Sequence, residues 1–108
     1  MVTHTIIWEF QIPREHVAEF EAVQGPHGEW ALLFGRAEGF LGTELLRSTE
    51  QQGRYVTVDR WASQSAFEAF RARFVADYEA LDERLAGLAT TETRVGAFAS
   101  VGPVAGSR

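Results

Sequence analysis

The amino-acid sequence predicts a single α+β domain in which two helical segments cover one face of a four-stranded antiparallel sheet. Three observations lead to this prediction: an alternating N-terminal segment, a central pair of alternating segments, and a long segment of helical periodicity before a last alternating one. The element order is β-α-β-β-α-β, for which the ferredoxin-like arrangement is the compact solution. We expect residues 1–100 to form this domain and residues 101–108 to form a flexible C-terminal tail.

The N-terminal third of the chain predicts a strand followed by a helix in two pieces. Thr3 to Ile12 alternates and is rich in aromatic and β-branched side chains, which is typical of a strand with a buried face. Pro13 ends the strand because it has no backbone N–H to donate. The following helix breaks at Gly25-Pro26, since the residue before a proline is pushed out of the α region. Pro26 suits a first helical turn, so we expect the second piece to begin there, with Trp30 on its apolar side.

The remaining elements are a hairpin, a long helix and a last strand. Gly39 to Arg47 and Arg54 to Trp61 flank a polar loop that contains Gly53, which predicts a hairpin. Ser63 is a favourable N-cap, and the apolar residues after it recur at steps of three and four. This spacing predicts one continuous helix of roughly 22–25 residues. Thr91 to Ser100 predicts the fourth strand.

Composition and charge exclude several classes of protein. The net charge is −5 and the pI is near 5.1, whereas an electrostatic nucleic-acid binder needs a basic face. The absence of cysteine excludes disulfides and cysteine-ligated metals. No apolar run approaches the roughly 18 residues of a membrane span and no export signal is visible, so we expect a cytoplasmic protein without membrane or nucleic-acid partners. His4, His16 and His27 are scattered, so we expect no metal site.

The sheet face that the helices leave open predicts a homodimer. Alternation places Ile7, Val56 and Val58, or their neighbours, on this face. Two such faces packed together would bury these apolar side chains. Mid-strand charges are expected to form ion pairs across the sheet or at the interface: Glu9, Glu44 and Asp59 with Arg47, Arg60 and Arg94.

Residues 38–70 carry motifs in a distinctive order. Gly39-Phe40-Leu41-Gly42 opens the second strand, Glu44-Leu45-Leu46-Arg47 continues it, Tyr55-Val56-Thr57-Val58-Asp59-Arg60-Trp61-Ala62-Ser63 forms the third, and Phe67 follows in the helix. This segment resembles the antibiotic biosynthesis monooxygenase family, whose members form dimeric α+β barrels. The resemblance implies that fold and a homodimer through the sheet face. It does not imply one particular activity, because the family includes cofactor-free oxygenases, haem-degrading enzymes, isomerases and members of no known activity.

The resemblance distinguishes between two oxygenase chemistries. Haem-degrading members have an Asn on the first strand, a Trp in the second helix and a His further along. Here Phe70 and Ala80 occupy the latter two positions, and the chain has no Asn, so haem degradation of that type is not expected. Cofactor-free oxygenation remains, in which an electron-rich phenolate passes an electron to oxygen after it loses its proton in a dry pocket. We therefore expect no cofactor.

The candidate site residues surround the space between helices and sheet. Proton transfer is assigned to His27 or to Tyr78, since histidine is a common acid–base residue in catalysis. The candidate substrate-binding residues are aromatic: Trp30, Phe34, Trp61, Phe70 and Phe74. Structural alternatives stay open, since Trp61 can seat the second helix, Trp30 can anchor the core and His27 can be a solvated loop residue.

These observations predict a cofactor-independent monooxygenase that acts on a small phenol- or quinol-like aromatic substrate. One alternative is a non-catalytic dimeric protein that binds a small apolar ligand or acts in a stress response. Another is an isomerase or lyase of a small oxygenated metabolite, which would have a wetter pocket with an arginine. A dry cavity that reaches His27 or Tyr78 favours the oxygenase, whereas an interior filled by Phe34, Phe70 and Phe74 favours the binding protein.

Overall fold

The four strands form one antiparallel sheet in a computed structural model that describes residues 2–103 and residue 106. The strands are β1 (His4–Gln11), β2 (Phe40–Arg47), β3 (Arg54–Trp61) and β4 (Thr91–Ala99). Their order in the sheet is β2-β3-β1-β4, so β1 and β3 are central. The helices are α1 (Val17–Gln24), α2 (Glu29–Phe34), α3 (Gln64–Arg73) and α4 (Val75–Leu85), with short 3-10 turns at Arg14–His16 and Ala86–Leu88. The predicted ferredoxin-like α+β fold is confirmed.

The second helical segment is divided into two helices, so the prediction of one continuous helix is wrong. Phe74 leaves the helical region (φ −111°, ψ 26°) and separates α3 from α4. The Phe74 side chain is buried, and its ring centroid lies 5.5 Å from that of Phe70. Tertiary packing therefore overrides the helical periodicity of the sequence at this residue. Ser63 caps α3 as predicted, since its hydroxyl accepts a 3.0 Å hydrogen bond from the Ala66 N–H.

The second piece of the first helical segment begins at Glu29 and not, as expected, at Pro26. The intervening turn is closed by a 3.0 Å hydrogen bond from the Gly28 N–H to the Gly25 carbonyl. A Cβ at Gly28 would lie 2.1 Å from the Val23 carbonyl oxygen, so this close approach requires glycine. The turn delays the start of α2 and leaves Trp30 buried in its first turn.

Two clusters of buried side chains fill the space between helices and sheet. The larger cluster surrounds Trp61 and Phe70, and the smaller one surrounds Phe20 and Tyr55. Trp8, in the middle of β1, packs against both clusters. The cavity that we describe as the candidate site lies where the two clusters meet.

The sheet face that points away from the helices is partly apolar, as expected. Ile7 and Val58 are directly paired across β1 and β3. Near the sheet edges, Leu46 is 45% exposed and Phe98 is 48% exposed. Two ion pairs border this apolar strip: Arg54–Glu9 at 2.7 Å and Arg60–Glu44 at 3.4 Å.

None of the described helices is long and apolar enough to cross a membrane. Of the predicted tail, residues 101–103 belong to no helix or strand, while residues 104, 105, 107 and 108 lie outside the described residues. The division into a domain of residues 1–100 and a flexible tail therefore stays a prediction, as does the cytoplasmic location.

Candidate active site

A partly open cavity of about 120 Å³ lies between the helices and the sheet. Its aromatic walls come from three elements: Trp8 and Phe10 on β1, Phe20 on α1, and Trp30 and Phe34 on α2. Most of its polar groups come from three others: Thr57 and Asp59 on β3, Tyr78 and Asp82 on α4, and Glu92 on β4. Gln24 on α1 adds a side-chain amide. Apolar walls with a few convergent polar groups are typical of a small-molecule site.

Asp59 is the carboxylate that lies deepest against the sheet. It pairs with the buried Ile6 on β1, and its Oδ1 accepts a 2.5 Å hydrogen bond from the Thr43 hydroxyl on β2. The expected ion pair between Asp59 and an arginine is wrong for the described part of the chain, where the ion pairs involve other acids. Burial raises the pKa of Asp59 to about 6, while the hydrogen bond from Thr43 acts in the opposite direction. At neutral pH Asp59 is therefore mostly ionised and more basic than an ordinary aspartate.

Tyr78 presents a phenol to the same cavity. Its ring meets that of Trp30 edge-on at 5.1 Å between centroids, and the Arg71 guanidinium lies 4.0 Å above the Tyr78 ring centroid. Burial raises the pKa of Tyr78, and the negative charges of Asp82 and Asp59 act in the same direction against the effect of Arg71. The hydroxyl therefore keeps its proton at neutral pH and can donate a hydrogen bond to a ligand.

Two further carboxylates, those of Asp82 and Glu92, lie at the exposed side of the cavity. Burial raises the pKa of Glu92, and the negative charge of Asp82 adds to that effect. The described residues that line the cavity include neither histidine nor arginine. Among the residues of the described ranges, no three potential metal ligands are grouped closely enough to hold an ion.

The predicted site residues lie in three different places. Tyr78, Trp30 and Phe34 line the cavity. His27 is exposed in the turn before α2 and does not line it. The other predicted aromatic residues lie in the larger buried cluster outside the cavity wall: Trp61, Phe70 and Phe74.

Sequence reasoning did not select several of the residues that line the cavity: Trp8, Phe10, Phe20, Thr57, Asp59, Asp82 and Glu92. The most informative of these are Asp59 and Thr57. Both lie at even spacing along β3 from the buried residues Tyr55 and Trp61. They therefore share the sheet face that packs under the helices. A charged residue between two buried neighbours of the same face is a signal present in the sequence. This signal has two interpretations: an ion pair with an arginine on a neighbouring element, or an unpaired carboxylate at a site. The sequence alone did not show which of the two applies to Asp59.

Comparison with known proteins adds a family match. A family model described as antibiotic biosynthesis monooxygenase matches residues 3–74 of the chain. Among curated proteins, no sequence matches.

Two solved structures illustrate the structural similarity. A mutant of SnoaB, a cofactor-independent oxygenase from Streptomyces nogalater, is 27% identical, with a TM-score of 0.72 over 94% of this chain and 96% of SnoaB. A mutant of MhuD with two manganese protoporphyrin IX molecules bound per active site is 28% identical, with a TM-score of 0.69 over 98% of this chain and 100% of MhuD.

Proposed function

Because the chain belongs to the antibiotic biosynthesis monooxygenase family, we propose that it is a cofactor-independent monooxygenase of a small phenol- or quinol-like aromatic substrate. The observation that carries the proposal is Asp59, a carboxylate with a pKa of about 6 at an aromatic-walled cavity. A base of this strength is ionised at neutral pH and can accept the proton of a phenol. The similarity to SnoaB, a cofactor-independent oxygenase, supports the same assignment.

The size of the cavity supports a substrate whose reacting part is one aromatic ring. An apolar cavity of roughly 150 Å³ is known to hold benzene. The cavity here is somewhat smaller, about 120 Å³, and partly open, so it would enclose at most one ring, and any substituent would extend outward. The faces and edges of Trp8, Trp30 and Phe34 would contact the ring, and Tyr78 would donate a hydrogen bond to the substrate oxygen.

The reaction then needs only a proton acceptor and a dry space. Asp59 takes the phenolic proton, and the phenolate transfers one electron to O₂ to give a phenoxyl radical and superoxide. The two radicals combine at a ring carbon that bears hydrogen, and protonated Asp59 returns its proton to the resulting peroxide. Loss of the remaining proton from that carbon breaks the O–O bond and leaves a carbonyl and water. One oxygen atom thus enters the substrate and the other becomes water.

A porphyrin is supported less well than a single ring, although the MhuD structure contains manganese protoporphyrin IX. The described lining offers three carboxylates and neither histidine nor arginine, which is unfavourable for the propionate groups and for metal ligation. An isomerase or lyase that anchors its substrate with arginine is disfavoured by the same lining.

The proposal is tested by measuring oxygen consumption with a panel of phenols and quinols. We expect at least one to consume oxygen above the rate without enzyme, with one oxygen atom from ¹⁸O₂ in the product. Binding without oxygen consumption across the panel would favour the non-catalytic binding protein.

His27→Ala tests the competing base: we expect little change in kcat/KM because His27 is exposed and outside the cavity lining. A loss of kcat/KM as large as that expected for removal of a general base would identify His27, and not Asp59, as the base.

Thr43→Val is expected to move the pH dependence of this activity. The Thr43 hydroxyl donates to the ionised form of Asp59, so its removal raises the pKa of Asp59 further. We expect the rising limb of kcat/KM, near pH 6 in the wild type, to move up by about one pH unit. Thr43→Ser keeps the hydroxyl and should keep the wild-type profile. Identical profiles for the valine and serine variants would contradict the assignment of Asp59 as the titrating base.

A homodimer that packs two open sheet faces together is also part of the proposal. The exposed Leu46 and Phe98 lie on this face beside the Ile7–Val58 pair, and burying such a strip is favourable. We expect light scattering to give a mass twice the 12.0 kDa of the chain. Phe98→Glu should shift this mass toward the monomer, whereas Leu32→Glu, on the exposed side of α2, should leave it unchanged. A wild-type monomer at micromolar concentration would overturn the dimer.

A further inference from the structure

We infer that Phe34 is a specificity-determining residue, which excludes phenols that have a second ring fused beside the hydroxyl-bearing carbon. It does so by separating the cavity from Trp61, next to which such a ring would lie. The inference rests on the proposed function, because it assumes that a phenol occupies the cavity with its hydroxyl at Asp59. It narrows the class of substrate by the position of a second ring.

The helix-facing side of β3 leads from the cavity to Trp61. Thr57, Asp59 and Trp61 lie at even spacing along this strand, so their side chains share one face. Successive side chains on one face of a strand are roughly 7 Å apart. Thr57 and Asp59 line the cavity, whereas Trp61 lies in the larger buried cluster outside it. Along β3, the cavity therefore ends at the side chain next to Trp61.

Phe34 lies between the cavity and Trp61. It is the last residue of α2, it is buried, and it lines the cavity. Its ring centroid lies 5.6 Å from that of Trp30 in the cavity wall and 5.7 Å from that of Trp61. Four phenylalanine ring centroids lie 5.0–5.7 Å from that of Trp61: Phe34, Phe40, Phe67 and Phe70. Of these four described residues, Phe34 alone lines the cavity, so it is the wall that the cavity shares with Trp61.

The position of the substrate hydroxyl decides where a second ring would lie. In the proposed reaction the hydroxyl faces Asp59, deep against the sheet, and groups opposite the hydroxyl extend through the open side of the cavity. A ring fused beside the hydroxyl-bearing carbon instead projects sideways along β3. In the direction of Trp61, that space is occupied by the ring of Phe34.

The cavity has no room for such a ring while Phe34 is in place. Its volume is about 120 Å³, whereas a cavity of roughly 150 Å³ holds one benzene molecule. Phe34 is held by ring contacts with Trp30, Trp61 and Phe70. Side chains packed this closely do not move aside by the width of a ring without loss of contacts. Binding of a sideways-fused ring is therefore unfavourable in the wild type.

The Trp61 indole indicates what a ligand would meet beyond Phe34. Trp61 is fully buried, and its Nε1–H has no hydrogen-bond partner among the described residues. A buried donor without an acceptor is unfavourable, and native proteins leave few of them. When Phe34 is shortened, an acceptor atom in the second ring of a ligand would pair with this donor.

The test compares 1-naphthol with 2-naphthol, two isomers that differ only in the direction of the second ring. In 1-naphthol this ring is fused beside the hydroxyl-bearing carbon, and in 2-naphthol it points toward the open side. Dissociation constants are measured by calorimetry with the full chain, with phenol as the reference. We expect the wild type to bind 2-naphthol about fivefold or more tightly than 1-naphthol. Phe34→Ala should raise the affinity for 1-naphthol relative to 2-naphthol by about tenfold or more.

Two further variants control for packing. Phe40→Ala removes a ring whose centroid lies 5.2 Å from that of Trp61 but which does not line the cavity, so it should keep the wild-type preference. Phe34→Leu removes less of the side chain and disturbs the core less than alanine does. It should move the preference in the same direction by a smaller factor. Thermal unfolding verifies that each variant is folded.

Indole ¹⁵N–¹H NMR reports the contact with Trp61 separately. The chain has three tryptophans, and Trp61→Phe assigns the signal of Trp61. In the wild type, phenol should shift the signals of Trp8 and Trp30, which line the cavity, and leave that of Trp61 nearly unchanged. In Phe34→Ala, 5-hydroxyquinoline has the shape of 1-naphthol with a nitrogen acceptor in its second ring. It should move the Trp61 signal downfield, and 1-naphthol should move it less.

Three results would contradict the inference while the proposed function stands, provided that phenol binds the wild type. The first is a wild type that binds 1-naphthol as tightly as 2-naphthol. The second is a folded Phe34 variant that keeps the wild-type preference. The third is a Trp61 signal that does not move when 5-hydroxyquinoline binds to Phe34→Ala. If the wild type binds neither phenol nor either naphthol, both the inference and the proposed function are wrong.

Discussion

Asp59→Asn is expected to lower kcat/KM for oxygen consumption by about 100-fold or more, which is the usual contribution of a general base. Asparagine has nearly the shape of aspartate and can still accept the hydrogen bond from Thr43, but it cannot take a proton from the substrate. Binding of a phenol should change little, because the aromatic walls of the cavity are untouched. The measurement is steady-state oxygen consumption together with a separate determination of phenol affinity.

The same substitution is expected to stabilise the folded protein at neutral and alkaline pH. Burial raises the pKa of Asp59 from the ordinary 3.8 to about 6, so between these values the folded state binds more protons than the unfolded state. The stability of the wild type therefore falls as pH rises through this window and stays lower above it. Asp59→Asn removes this cost, which is on the order of 2–3 kcal/mol, and should give no gain below the window.

Urea unfolding on both sides of that pH window measures the effect. Asp77→Asn is the matched control, since Asp77 is an exposed acid of α4 that forms a 3.8 Å ion pair with Arg36. It should change stability by no more than about 0.5 kcal/mol at either pH and leave activity unchanged. An Asp59→Asn variant that is less stable than the wild type in alkaline solution, or that keeps full activity, would contradict the assignment of Asp59 as a buried base.

Trp61→Ala is expected to lower the free energy of unfolding by about 3–5 kcal/mol. Trp61 is fully buried, and its ring centroid lies 5.0 Å from that of Phe70 and 5.2 Å from that of Phe40. Truncation to alanine leaves a cavity among these rings that the rigid sheet and helices cannot close. This loss is a large share of the roughly 5–15 kcal/mol that stabilises a domain of this size, so the variant is only marginally stable. Urea unfolding measures the free energy of unfolding that remains.

Trp61→Phe keeps the protein folded and separates packing from hydrogen bonding. The Trp61 Nε1–H is buried without a hydrogen-bond partner among the described residues, so its removal relieves an unfavourable group. We expect the phenylalanine variant to be destabilised much less than the alanine variant and to bind phenols as the wild type does. Weakened phenol binding with unchanged stability would instead place Trp61 in the wall of the substrate site.

The aromatic residues show how far sequence patterns reach toward the site. Trp30 and Trp61 both lie on apolar faces predicted from periodicity, and both are buried. Only Trp30 lines the cavity, because the cavity lies at the meeting of two side-chain clusters and Trp61 lies inside one of them. Periodicity identifies the buried face of an element, but it does not show where two packed clusters leave a space.

Asp59 shows the opposite case, in which the sequence placed the residue correctly but not its environment. Asp59 lies at even spacing along the strand from Tyr55 and Trp61, so its side chain lies on the same helix-facing side of β3. Its basicity depends on the desolvation under the helices and on the Thr43 hydroxyl, which reaches it from β2 across the hairpin. Both are contacts between segments separated along the chain, so no local pattern contains them.

The sequence by itself determined the element order, the strand and helix types, the cap at Ser63 and the family, because these follow from periodicity and short motifs. Tertiary structure alone decided the break at Phe74, the cavity beside Trp8, and the meeting of Asp59 with Tyr78 at that cavity. These features depend on how β1, β3, α2 and α4 pack against one another. Burial and electrostatic environment are properties of that packing, and they exist only once distant segments are in contact.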